Sequence, residues 1–189
     1  MNNLTIYTES NPNPNSLKFV VNSMLVDEGM VKDYANVQST TDSPLAKKLF
    51  DFPFVKRVFI MNNFITITKE KKNSWSEIKI ELSDFIKKYI EEGNDIIKIS
   101  SDPPPKKFIS KTTNIDNQIK QILDEYIKPA VEQDGGAINF ESFNNGKVFV
   151  SLKGSCSGCP SSTITLKSGI ENLLKRFIPE VKEVIAEEL

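Results

Sequence analysis

The fold of the C-terminal half is decided by Gly136-Ala-Ile-Asn-Phe-Glu-Ser-Phe-Asn-Asn-Gly-Lys-Val-Phe-Val-Ser-Leu-Lys-Gly-Ser-Cys-Ser-Gly-Cys-Pro160. Alternation over Ala137–Phe143 predicts a strand. Asn145-Gly146 is a strong two-residue hairpin signal, because both residues tolerate the positive φ of a tight turn. Lys147–Leu152 returns as the partner strand. The chain then enters a loop of glycine and serine that carries Cys156 and Cys159, the only two cysteines in 189 residues. There is no histidine. Any soft-metal or thiol chemistry is therefore confined to this loop.

The flanks predict helices. Thr113-Asn-Ile-Asp116 is a capping-box-like start. Ile115, Ile119, Ile122, Leu123 and Tyr126 fall on one face behind it. Pro129 removes a backbone donor and predicts a kink before Gly135-Gly136 ends the helix. On the other side, Pro160 suits a first helical position, which makes Cys159 the N-cap. Thr163, Leu166, Ile170, Leu173, Leu174 and Phe177 form the buried side of that helix, Pro179 stops it, and Val181–Ala186 reads as a last strand. Residues 113–189 are thus an α-β-β-α-β domain with a small three-stranded sheet.

Residues 1–93 read as a separate α+β domain of antiparallel hairpins and two helices. Leu4–Thr8 and Leu17–Val21 are strand-like, with the stiff turn Asn11-Pro-Asn-Pro-Asn15 between them. Val55–Met61 and Phe64–Thr68 predict a second hairpin around Asn62-Asn63. Ser43-Pro44 starts a helix with Leu45, Leu49 and Phe50 as its apolar face. Ser74-Trp-Ser-Glu77 predicts a capping box. Ile78, Leu82, Phe85, Ile86 and Tyr89 follow on one face, and Gly93 is the stop. Between the domains, residues 94–112 include Asp102-Pro-Pro-Pro-Lys-Lys107, which favours extended polyproline II and reads as a semi-rigid linker. The fold class is therefore α+β with two small domains.

Composition narrows the function classes. The net charge of −1 argues against a general nucleic-acid binder, which is ordinarily strongly basic. No apolar run approaches the roughly 18 residues of a membrane span. The N-terminus shows neither a secretory signal nor an Arg-rich transit peptide, which predicts a cytoplasmic bacterial protein or a processed mitochondrial matrix protein. Two cysteines without a secretion signal favour a reducing compartment and a working CxxC.

The loop itself predicts reactive thiolates. A helix N-terminus favours anions. Gly154 and Gly158 let backbone amides fold around sulfur. Positions 142–170 hold Lys147, Lys153 and Lys167 and no acid, so the surroundings read as locally positive. Two thiolates are half of a tetrahedral sulfur site. Three readings compete: an iron–sulfur site completed by a second copy of the chain, a zinc site built the same way, or a dithiol–disulfide oxidoreductase. The α-β-β-α-β order lacks the repeated βα pattern of a thioredoxin fold, which counts against the third.

Three stretches resemble the C-terminal domain of NifU-like (Nfu-type) iron–sulfur proteins: Asp124–Gly136, Lys153–Lys167 and Phe177–Val181. Asn11–Phe19, Ser43–Ala46 and Asn63–Lys69 resemble that family's N-terminal domain. Departures are Ala137, where an acid is common, and Ile60-Met-Asn-Asn63. The resemblance implies a non-enzymatic scaffold or carrier with Cys156 and Cys159 as the ligands of a labile [4Fe–4S] cluster, with [2Fe–2S] left open. That cluster would bridge a homodimer, be lost in air, and pass to apoprotein recipients from upstream assembly proteins. It implies no nucleic-acid or membrane partner, and a recognition or regulatory role for residues 1–93.

Overall fold

A computed structural model describes residues 4–98, 114–157 and 160–188. The polyproline stretch and the Thr113 helix start lie outside the described residues. The chain divides into two compact units, Met1–Ser100 and Ser101–Leu189, each with its own hydrophobic core.

The first unit is built on a five-stranded antiparallel sheet. Its strands are β1 (Ile6–Ser10), β2 (Ser16–Val21), β3 (Val31–Tyr34), β4 (Val55–Met61) and β5 (Phe64–Lys69), in the order β1-β2-β5-β4-β3. Asn62-Asn63 closes the β4–β5 hairpin with Met61 opposite Phe64 and Asn62 at φ 48°. The Asn-Pro turn holds itself through its own amides. Asn11 Oδ1 accepts from the Asn13 N–H at 3.0 Å, and Asn13 Oδ1 accepts from the Asn15 N–H at 3.0 Å, the side-chain-to-backbone bonds by which asparagine favours turns.

Two helices, α1 (Pro44–Leu49) and α2 (Trp75–Glu91), pack on the sheet. Leu45, Leu49, Ile78, Leu82 and Ile86 are buried against Leu17, Phe19, Val58, Ile60, Ile65 and Ile67. Fully burying such a side chain contributes about 1.5–3 kcal/mol. Ser43 caps α1, accepting from the Ala46 N–H at 3.1 Å. The capping box expected at α2 is not formed: Ser74 is the N-cap residue but makes no side-chain cap bond. Its hydroxyl pairs with that of Ser76 at 2.7 Å, a nearer partner than the N3 amide.

Strand β3 has no counterpart in the sequence reading. Residues 94–98, assigned there to the linker, lie against the first unit. Ser43 Oγ donates to Ile96 O at 2.7 Å and the Lys98 N–H to Asp42 O at 2.8 Å, while Ile96 and Ile97 pack on the core.

The second unit has the expected α-β-β-α-β order. Its elements are α3 (Asn114–Ile122), α4 (Lys128–Gln133), β6 (Gly136–Asn144), β7 (Lys147–Gly154), α5 (Pro160–Phe177) and β8 (Glu183–Glu188). The sheet runs β6-β7-β8, with β6–β7 antiparallel and β7–β8 parallel. Between α3 and α4 the expected irregularity is a π-helical turn over Leu123–Ile127, in which the Lys128 N–H reaches Leu123 O. A wide turn just before Pro129 suits a ring that would clash with the carbonyl four residues back in a continuous α-helix. Two aromatics expected in the core are not buried. Tyr126 and Phe177 are about half exposed and stack on each other, with ring centroids 5.7 Å apart. Ile178 takes the buried position at the end of α5.

Candidate cluster-binding loop

The site stands where β7 ends and α5 begins. Gly154, the last residue of β7, takes φ 69° and turns the chain. Ser155 and Cys156 occupy the turn, and α5 starts at Pro160 as expected. Cys159 lies outside the described residues. Cys156 is 7% exposed and belongs to the core cluster that includes Leu152, Ile138 and Ile170.

This burial corrects the expectation of a reactive thiolate at Cys156. Removal from water pushes the Cys156 thiol up to about 11. The Ser155 hydroxyl opposes the rise and the Asp134 carboxylate adds to it. The residue is a neutral thiol at neutral pH in the cluster-free chain. It sits in the turn ahead of the helix rather than at its N-terminus, so the expected dipole effect does not dominate. Of the three lysines read from sequence as positive surroundings, only Lys153 adjoins the loop. Lys147 lies at the far end of β7, and both Lys147 and Lys167 reach Glu183, at 3.6 and 3.9 Å.

What surrounds Cys156 is the turn from α4 into β6, Asp134-Gly135-Gly136. The Ser155 N–H donates to Gly135 O at 3.2 Å, and Ser155 Oγ donates to Asp134 O at 2.5 Å. Ser157 Oγ donates to Leu152 O at 2.8 Å, holding the far side of the loop. Gly135 has φ 77°, a conformation glycine adopts without steric cost. Gly136 is needed for space. A Cβ there would stand 2.7 Å from Lys153 O and 2.9 Å from Cys156 Sγ. From the sequence, Gly135-Gly136 reads only as a helix stop. The signal for a second role was its pairing with Gly154 across the hairpin, which places two glycines at the mouth of the cysteine loop.

The donor chemistry fits an iron–sulfur centre. The loop holds a cysteine sulfur with backbone close by and, at Gly136, a cradle that any other side chain would fill. Among the described residues no group of three or more Cys, Asp or Glu side chains comes together to hold a metal. No helix among them is long and apolar enough to cross a membrane.

Residues 6–93 match the family described as "Scaffold protein Nfu/NifU N terminal", and residues 119–185 match the "NifU-like domain". The chain is 39% identical over 179 residues to "NFU1 iron-sulfur cluster scaffold homolog, mitochondrial" of Drosophila willistoni, covering 95% of this chain and 62% of that protein. The protein of the same name from Drosophila ananassae is 39% identical over 182 residues, covering 96% and 64%. This chain thus spans somewhat under two thirds of those relatives. A solution NMR structure of the NifU-like protein from Saccharomyces cerevisiae is 31% identical and aligns with 51% of this chain and 87% of its own, at a TM-score of 0.47. The chain is a two-domain α+β protein that belongs to the Nfu/NifU-like family. The curated relatives are named as scaffolds and as mitochondrial, so the bacterial-cytoplasm expectation has no support among them.

Proposed function

We propose that this chain is an iron–sulfur cluster scaffold and carrier. It takes up a [4Fe–4S] cluster as cargo between two copies, with Cys156 and Cys159 of each as ligands, and releases it to apoproteins. The observation that supports this reading most is the seat of Cys156. A cysteine from the only stretch of the sequence that carries cysteine is pinned against a glycine cradle at the end of a strand. Clusters are held by four thiolates and each chain offers two, so a symmetric dimer completes the set.

Taking up cargo requires two changes at Cys156. Its proton must leave, because the thiolate is the ligand, and its buried sulfur must turn outward. Both changes cost free energy that the metal–sulfur bonds offset, and both return when the cargo departs. A ligand held buried and protonated in the empty state favours release over permanent retention.

On this reading residues 1–98 serve partner recognition or regulation, 99–112 link the domains, and 113–189 carry the cluster. The relatives' names support placing the protein in the mitochondrial matrix. Recipients are apoproteins that lack a cluster, and donors are upstream assembly proteins. No substrate is turned over.

Anaerobic reconstitution with iron and sulfide tests the ligand assignment. The wild-type chain is expected to develop the brown charge-transfer absorption of a cluster, and Cys156→Ser and Cys159→Ser each to abolish it. Equal uptake by the double variant would sink the assignment.

A further inference from the structure

One side chain ties the cysteine loop to the turn between α4 and β6. Ser155 is 3% exposed. Its hydroxyl donates to Asp134 O at 2.5 Å, its N–H donates to Gly135 O at 3.2 Å, and Cys156 Sγ stands 3.8 Å from Ser155 Oγ. The two residues whose carbonyls it grips immediately precede Gly136, where an added Cβ would lie 2.9 Å from Cys156 Sγ and 3.3 Å from Ser155 Oγ. The other hydroxyl of the loop, on Ser157, returns to Leu152 O on strand β7 itself. It ties the loop to its own strand and not to the α4–β6 turn.

We propose that Ser155 is the positioning residue of the cysteine loop, holding it on the Asp134–Gly136 turn so that Cys156 stays seated against Gly136 until its sulfur is taken up as a ligand. The consequence for cluster loading rests on the scaffold reading above; the seating itself does not. The geometry separates Ser155 from its neighbours. Removing its hydroxyl takes one hydrogen bond from the carbonyl of Asp134 and loosens a side-chain tie between the loop and the turn. Removing the hydroxyl of Ser157 leaves that tie in place. Filling the cradle at Gly136 displaces the same sulfur from the opposite side.

The test uses the metal-free full-length chain carrying Cys159→Ser, in which Cys156 is the sole thiol, and measures its alkylation by N-ethylmaleimide at one fixed pH. Ser155→Ala is expected to raise the rate about fivefold, the shift in an opening equilibrium that follows from losing one ordinary hydrogen bond. Ser155→Thr, which keeps the hydroxyl, and Ser157→Ala are both expected to stay near the parent rate. A parent-like rate for Ser155→Ala overturns the proposal. So does equal acceleration by Ser155→Ala and Ser157→Ala, which would mark general loosening. If circular dichroism shows that Ser155→Ala does not fold, Gly136→Ala decides: faster alkylation is expected, and an unchanged rate overturns the seating. Iron and sulfide content of the wild-type chain is measured separately, so failure of the scaffold reading leaves this result interpretable.

Discussion

At the residue scale one polar network in the first unit centres on Asp42. Lys32 Nζ lies 2.6 Å from one carboxylate oxygen, and Tyr34 Oη donates to the other at 2.9 Å. Burial alone would raise the Asp42 carboxyl, but hydrogen bonds from Lys32 and Tyr34 outweigh it and hold it below its usual value. Burial, with Asp42 beside it, raises the Tyr34 phenol. Tyr34→Phe is expected to lower stability by about 1 kcal/mol, the usual net worth of such a bond, as urea unfolding would show. The sign of the pH effect follows from the depressed carboxyl. Its contribution is complete above the unfolded value of about 3.9 and fades as pH falls through the lower folded value. The stability gap between wild type and Asp42→Asn should therefore be widest near neutral pH and close in acid; a gap that widened in acid would contradict the assignment.

The second residue-scale lesson concerns Cys156. Its candidacy as a ligand was legible from spacing and uniqueness. Its surroundings were not, because two of the groups beside it, Asp134 and Gly136, sit some twenty residues earlier and meet it through the β6–β7 register. Lys147 misled for the same reason: it and Cys156 are close in sequence but at opposite ends of a strand, whereas Lys153 stands at the loop's end.

At the element scale, signals written in consecutive residues translated directly. The two Asn-centred hairpins, the Ser43-Pro44 helix start and the Pro160 helix start all appear where local chemistry puts them. Strand β3 did not read as a strand because its stabilising partner is distant. Asp33 makes a bidentate pair with Arg57, at 2.8 and 2.7 Å, and a four-residue strand bearing Lys32 and Asp33 has no apolar alternation to betray it. Tyr126 and Phe177 have helical spacing for burial, yet each finds the other at the surface. The turn at Gly146 offers a sharp test of element coupling. It takes φ 83°, its carbonyl accepts from the N–H groups of Lys182 and Glu183 at 2.7 and 3.2 Å, and a Cβ would meet the Lys182 side chain at 2.9 Å and Glu180 O at 3.1 Å. Gly146→Ala should cost about 1–2 kcal/mol for the left-handed backbone alone. It should also loosen β8, raising amide exchange at Val184 and Ala186; protection unchanged there would disconnect the turn from that strand.

At the scale of the whole molecule, each unit carries its own core, and the cysteines lie in the second. A fragment of residues 113–189 is therefore expected to fold and to take up iron and sulfide as the full chain does, while residues 1–98 take up neither. A C-terminal fragment that stayed unfolded would show that the units depend on each other. The central claim is that two chains share one cluster. The most direct measurement is iron, zinc and acid-labile sulfide content of protein purified without oxygen, together with its mass by size-exclusion chromatography and light scattering. The account predicts a dimer with about four irons and four sulfides per two chains, and little zinc. A zinc-loaded dimer without sulfide, or a metal-free monomer with Cys156 and Cys159 joined as a disulfide, would contradict it.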